Sequence, residues 1–293
     1  MSYLFEGIVA PITTPFSDDG EVSVDSLQKN LDQYRTTPLA GVLVLGSTGE
    51  AAHLSVEERV NVLKTATEVW PEDKRLLVGI SFAALKQALS FVEKIAPYRT
   101  DGLLVSVPSY YKSRMDARAL ADYFVSLANE APSPLMLYNI PRFSGIELSI
   151  PLVAELAQHG NIAGIKDSSG NLIYLQKMLA ATAGQDFQVI SGSAETLGPA
   201  LALGIKGGIL AVSCAVPEVV MDVIEGFERD SAEFEARQSR LFQISSTVVG
   251  KFSVPGVKYA MDLRGFCGGT CRRPLMPLTA HEKSELEAVL EAD

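Results

Sequence analysis

Lys166 closes a short apolar run, Ile162-Ala163-Gly164-Ile165, and is followed at once by Asp167-Ser168-Ser169-Gly170. The run reads as a buried strand whose last position carries an amine. Taking an ammonium out of water is unfavourable, so such a place favours the neutral amine. A neutral amine can attack a carbonyl carbon and form a Schiff base. The plainer alternative is a lysine that reaches solvent where its strand stops. Residues after the other apolar runs widen the inventory: Ser47 and Thr48, Tyr110 and Tyr111, Tyr138 and Asn139, and Gly192. They supply hydroxyls, phenols and a glycine-flanked loop whose N–H groups can face an anion. Plainer readings exist here too, since a strand-end tyrosine is commonly a packing residue with a wet hydroxyl and Gly-Ser-Thr-Gly commonly a turn. No metal site is expected: His53, His159 and His281 are scattered and no H-E-x-x-H occurs. Cys267-x-x-x-Cys271 lacks a second pair, so these cysteines read as structural.

The apolar pattern says what must hold these residues together. Strands are expected at Gly7–Thr13, Gly41–Leu45, Leu76–Gly79, Gly102–Val107, Leu135–Tyr138, Ile162–Lys166, Phe187–Ile190 and Gly207–Val212. Helical patterns lie between them. Val24 to Tyr34 is the first, and Ser55 with Glu58 forms a capping box that opens the second, closed by Pro71. Leu85–Ala96 follows; then Asp116 caps a helix to Asn129, Ser149 one through Gln158, and Asn171 to Ala181 is the next. A stretch ending at Leu203 and a helix opened by Pro217 complete the set. Strands regularly followed by helices imply right-handed parallel units. Eight of them in about 225 residues predict an α/β fold, a closed (β/α)8 TIM barrel. A doubly wound open sheet is the alternative, and the lack of G-x-G-x-x-G before the first helix counts against it. Beyond residue 229 the patterns are helical only, with Phe234, Leu241, Ile244 and Val248 on one face and a capping box at Thr279 and Glu282. The chain therefore divides into a barrel over 1–229 and a C-terminal helical appendage over 230–293, a candidate for assembly contacts. In such a barrel the site lies at the C-terminal ends of the strands, where the residues above fall, with Leu210 inside the eighth strand.

At 293 residues and 47% hydrophobic the chain can bury a large core. A net charge of −10 argues against a general nucleic-acid surface. An anionic small substrate stays open, because a few placed cations or N–H groups can hold a carboxylate. Three cysteines suit a reducing compartment better than a disulfide framework. No basic stretch followed by an apolar core opens the chain, and no apolar run reaches the roughly 18 residues of a membrane helix. A cytoplasmic protein with no membrane partner is expected.

Gly46-Ser47-Thr48-Gly49-Glu50, Tyr138-Asn139-Ile140-Pro141 with Gly145, and Gly164-Ile165-Lys166-Asp167 together resemble the signatures of the dihydrodipicolinate synthase/N-acetylneuraminate lyase family. These are barrel enzymes that form a Schiff base with pyruvate or a related 2-oxo acid and need no cofactor. The resemblance spans the whole chain. It implies that Lys166 is the Schiff-base lysine and Tyr138 the tyrosine that relays protons to and from the substrate. Ser47, standing where many members have threonine, would join that relay, and Thr48 with the loop N–H groups would hold the carboxylate. Tyr111 matches a tyrosine that reaches the neighbouring subunit's site in family tetramers, so a homotetramer, a dimer of dimers, is implied. Gly192 and Leu210 match positions lining the pocket near the imine.

One departure bears on the substrate. Synthases of the family carry an arginine two residues before the glycine of Y-N-x-P-x-R-x-G. That place is Phe143 here, with Arg142 one residue earlier, read as a stand-in or as a solvated side chain. Tyr110 to Met115, Phe252 to Lys258 and Gly268 to Arg272 look closer to 4-hydroxy-2-oxoglutarate aldolases, and Ser168 matches a serine those enzymes place near the substrate. They commonly have G-S-N-G-E where this chain has Gly-Ser-Thr-Gly-Glu. The expectation is an aldolase that splits a 4-hydroxy-2-oxo acid into pyruvate and glyoxylate. Dihydrodipicolinate synthesis and cleavage of a 2-keto-3-deoxy sugar acid are the alternatives within the family. Outside it stand a phosphate-binding barrel enzyme, using Gly192 and Gly207-Gly208, and a non-catalytic sensor of 2-oxo acids.

Overall fold

A computed structural model describes residues 5–230 and 232–292; Met1 to Leu4, read above for a leader, lie outside the described residues. The strands are β1 (Gly7–Pro11), β2 (Gly41–Val44), β3 (Arg75–Ile80), β4 (Gly102–Ser106), β5 (Leu135–Asn139), β6 (Ile162–Asp167), β7 (Gln188–Ser191) and β8 (Gly207–Ile209). Each pairs in parallel with the next, and β8 returns to β1 to close the barrel. The expected (β/α)8 architecture with C-terminal helices is the one observed.

Alternation along the strands sorts side chains into two cores. Val9, Leu43, Leu77, Leu104, Met136 and Ile209 fill the barrel interior, closed below by Phe5. Their neighbours, such as Ile8, Val42, Leu76 and Leu103, face outward and pack under the helices. The helices start where their capping residues stand. Ser55 and Glu58 satisfy each other's N–H groups, Asp116 accepts from Ala119 N–H at 2.8 Å, and Asn171 from Tyr174 N–H at 3.1 Å. Ser149 occupies its N-cap position without a side-chain cap bond, and its helix ends early, at Leu156. A short helix at Pro141–Ser144 follows β5, where none was expected. β8 also stops short: Ala211–Cys214 is a 3-10 turn rather than strand.

β6 breaks the alternation. Leu135 pairs with Ile162, but Met136 pairs with Gly164, which leaves Ala163 as an extra residue. Such a bulge reverses the faces met by everything downstream. Ile162 and Ile165 both pack outward although three residues apart, while Ala163 rests on the inner core. Lys166 then arrives inside the barrel. On unbroken alternation it would share the outward face of Ile162.

The C-terminal helices, Phe234–Ser245, Ser253–Leu263 and Ala280–Glu291, pack beside the barrel, the first two joined by a π-helical turn at Ser246–Lys251. The loop between the last two is anchored by Arg272, whose guanidinium grips both oxygens of Glu58. That hydrogen bonding holds the Glu58 carboxyl below its ordinary 4.5. A depressed carboxyl contributes stability that is present above the unfolded value and lost as pH falls through the folded one. On acidification below about pH 4.5 the wild type is therefore expected to lose more urea resistance than Arg272→Met, in which the pair is already absent. Equal losses would show that the pair contributes nothing.

Candidate active site

The C-terminal mouth of the barrel holds a cleft of two adjoining chambers, about 290 and 360 Å³. Both are bordered by Ser47, Tyr138, Ile140, Phe143, Ser253 and Val254. Lys166 lies at the floor of the smaller one, only 4% exposed. Its partner is set by register: Tyr138 and Lys166 are direct neighbours across β5 and β6. The ammonium or amine Nζ donates to the Tyr138 hydroxyl at 3.3 Å and sits 4.4 Å from that ring's centre. An amine and a phenol thus share one buried spot, within reach of one substrate carbon and its hydroxyl.

Gly192 makes room for the amine. A Cβ there would stand 2.8 Å from Lys166 Cε and 2.0 Å from Ser168 Oγ. Its N–H donates to Asp167 O at 2.6 Å, and Ser168 Oγ donates to its carbonyl at 3.4 Å. Gly192→Ala is expected to push the lysine stem aside and slow trapping of a carbonyl compound on Lys166 by about 10²-fold, the scale of an ångström-sized misplacement. An unchanged trapping rate would mean that the contact does not set the lysine's position.

On the opposite face of the same strands, Asn139 and Asp167 tie two loops together. Asn139 Nδ2 donates to Asp167 Oδ1 at 2.7 Å, its Oδ1 accepts from Leu148 N–H at 3.0 Å, and Ser169 Oγ donates to Asp167 Oδ2 at 2.7 Å. Burial pushes the Asp167 carboxyl above its ordinary value, against the pull of the Ser169 and Asn139 bonds. Asn139 and Asp167 belong to the quoted motifs, but only contact shows that they brace the strand ends.

The Gly46–Glu50 loop presents Ser47 and Thr48 to the chamber that holds Lys166. Both ends of it carry a non-glycine residue in left-handed backbone, Leu45 at φ 61° and Glu50 at φ 53°. Each such residue costs about 1–2 kcal/mol, so the loop is held in place by its surroundings. Gly79 supplies one constraint, because a Cβ on it would lie 2.1 Å from Leu45 O. Thr14 supplies another, its hydroxyl donating to Gly49 O at 2.7 Å.

Ser47, Thr48, Tyr138, Lys166, Ser168 and Gly192 therefore meet in one chamber. Tyr111 does not join them within a single chain: it is 69% exposed and stands edge-on to Tyr110 at 4.9 Å. Leu210 requires a correction. It packs among the outward residues under the helices, and its neighbour Ile209 is the one that faces the interior and lines the chamber. Alternation along β8 allows only one of the two to do so. Arg142 is not a free surface cation either, since its Nη2 donates to Gly250 O at 2.8 Å on the chamber's rim. The outer wall comes from the C-terminal helices, through Val249, Gly250, Ser253, Val254 and Val257. No spacing in the sequence points to that wall.

The model of the dihydrodipicolinate synthetase family matches residues 4–293. A 4-hydroxy-tetrahydrodipicolinate synthase of Methanosphaerula palustris is 35% identical over 294 residues, covering 98% of this chain and 99% of its own. Among solved structures, a dihydrodipicolinate synthase of Bacillus anthracis superposes with a TM-score of 0.94 at 25% identity, covering 99% of this chain and 98% of its own. A prophage protein of the dihydrodipicolinic acid synthase family from E. coli K12, solved in complex with pyruvate, gives 0.91 at 28% identity, with 98% of each chain covered. Matched along its whole length, with the lysine and tyrosine of the motifs meeting in the mouth of the barrel, this chain belongs to the dihydrodipicolinate synthetase family and is an enzyme of its aldolase and lyase class.

Proposed function

We propose that this protein splits a 4-hydroxy-2-oxo acid into pyruvate and an aldehyde through a Schiff base on Lys166. The observation that carries the reading is the 3.3 Å approach of Lys166 Nζ to the Tyr138 hydroxyl, inside a cleft also lined by Ser47 and Thr48. The neutral amine attacks C2, water leaves, and the resulting iminium is the electron sink. Tyr138, having given its hydroxyl proton to the departing water, takes the proton of the C4 hydroxyl. The C3–C4 bond breaks, the aldehyde departs, and the electron pair passes to the iminium nitrogen, leaving an enamine. Tyr138 returns the proton to C3, and water then hydrolyses the pyruvate imine. Thr48 and the loop N–H groups hold the carboxylate, Ser168 and Gly192 border the imine, and Ser47 extends the proton relay. Tyr111, exposed here, completes that relay from a neighbouring copy in a homotetramer.

For the aldehyde we propose glyoxylate, released from 4-hydroxy-2-oxoglutarate. The stretches Tyr110 to Met115, Phe252 to Lys258 and Gly268 to Arg272 support this by their likeness to 4-hydroxy-2-oxoglutarate aldolases. Phe143 at the family's arginine position, 56% exposed at the mouth, offers no cation to the carboxylate of either aldehyde. Arg142, on the rim beside it, supplies the one cation besides Lys166 among the described residues lining that chamber. A second reading, condensation of pyruvate with aspartate semialdehyde, is supported by the name of the Methanosphaerula relative. The phosphate-binding alternative loses support. Gly207 and Gly208 lie within β8, where the Phe5 and Ser191 carbonyls approach to 2.2 and 3.1 Å of a built Cβ, so they serve strand packing. Turnover of 4-hydroxy-2-oxoglutarate should exceed condensation of pyruvate with aspartate semialdehyde. The reverse preference overturns the choice of aldehyde and leaves the Schiff base intact. Pyruvate binding without turnover of either would favour a sensor.

A further inference from the structure

Glu50, Lys258 and Arg272 come from three separate motifs and none of the three residues lines the chamber of Lys166, yet they meet behind the Ser47–Thr48 loop. The Glu50 side chain is buried. Its Oε1 lies 2.7 Å from Lys258 Nζ, and its Oε2 accepts from Arg272 N–H at 3.0 Å and stands 3.1 Å from His53 Nδ1. Lys258 is 1% exposed. Its ammonium also donates to Thr270 O at 2.6 Å and sits 4.4 Å from the Phe16 ring centre. The Arg272 guanidinium is 4.5 Å from the centre of the same ring. Cys271 adjoins the pair, but burial pushes its thiol up to about 11, so it stays protonated and takes no part as a nucleophile.

A buried ion pair is weak evidence for stability, because desolvation offsets most of the attraction; its best-attested use is to fix register. Two features show what is being registered here. Glu50 is itself the left-handed residue at the end of the loop, a conformation that needs outside constraint. Lys258 sits on the helix Ser253–Leu263, whose Ser253, Val254 and Val257 form the outer wall of the cleft. One contact thus joins the loop that presents two hydroxyls to the helix that faces them.

We propose that Glu50 and Lys258 are positioning residues: their buried pair clamps the end of the Ser47–Thr48 loop to the wall helix and so fixes both relative to the Lys166 amine. The catalytic consequence rests on the Schiff-base reading, whereas the clamp itself does not.

The test uses Lys258→Met and the double variant Glu50→Leu with Lys258→Met. The single change strands a buried carboxylate and destabilises the protein, while the double change removes both charges at similar volume and is expected to fold. Two readouts are taken on the whole protein: amide hydrogen exchange of residues 46–51, and turnover per site titrated with pyruvate and borohydride. The clamp predicts faster exchange in that loop with β6 unchanged, and turnover per titrated site lower by about 10²-fold in the double variant. Wild-type loop protection and wild-type turnover per site in a folded double variant would overturn the proposal. So would failure of the double variant to fold, since the pair would then be a requirement of the fold. If wild-type protein forms no pyruvate adduct, the Schiff-base reading fails, and loop exchange still decides whether the clamp exists.

Discussion

Lys166→Ala is expected to abolish turnover while leaving the barrel folded. Removing the only nucleophile of a covalent mechanism costs on the order of 10⁶-fold in rate, or about 8 kcal/mol of barrel-mouth transition-state stabilisation. The fold should survive, because the lysine belongs to the lining of the cleft, while the strand is held by its ladder to β5 and β7 and by Ile162 and Ile165 under the helices. Two measurements check this. Pyruvate with borohydride should add the mass of one reduced pyruvate to Lys166 in the wild type and nothing to the variant, and thermal melts of the two should both be single and cooperative. An adduct that persists in Lys166→Ala would place the nucleophile elsewhere and sink the assignment.

Tyr138→Phe comes second in expected size and separates binding from proton transfer. The ring stays, packed on the inner core beside Ile140 and Ile190, and only the hydroxyl 3.3 Å from Lys166 is lost. Proton transfer by a positioned group contributes about 10²–10⁴-fold, so kcat should fall by that factor, or about 3–5 kcal/mol. Trapping of pyruvate on Lys166 should persist at a lower rate, since the amine is still present. A variant with normal kcat and raised KM would show that the phenol only binds substrate. That outcome would move the relay to Ser47 or to Tyr111 of a neighbouring copy.

These effects all pass through a site whose parts were unequally legible. Lys166 was readable because an amine at the end of an apolar run is chemically conspicuous, and Ser47, Thr48 and Tyr138 because they follow strands in a barrel whose active end is known. Gly192 was readable as a residue that follows an apolar run, and its place beside the imine only by resemblance; the physical reason, a Cβ 2.8 Å from Lys166 Cε, needs coordinates. Leu210 was misplaced by one residue. The shortness of β8 and the inward turn of Ile209 are set by pairing with β1, which leaves no mark on the local pattern. Asp167 was passed over because the partner that braces it, Asn139, reaches it from the neighbouring strand, 28 residues away.

The amino-acid order by itself determined the alternation of strand and helix, the capped starts of the helices at Ser55, Asp116, Asn171 and Thr279, and the presence of one amine among hydroxyls and phenols. Those are local properties, written in periods of two and 3.6 residues and in side chains that bond their own backbone. Tertiary structure alone decided which face each residue shows. The extra residue at Ala163 turns Lys166 inward, the C-terminal helices close the cleft, and a carboxylate from the second strand's loop finds an ammonium more than two hundred residues away. Facing and pairing depend on register between distant segments, and register is an energy of the assembled barrel that no single stretch of chain contains.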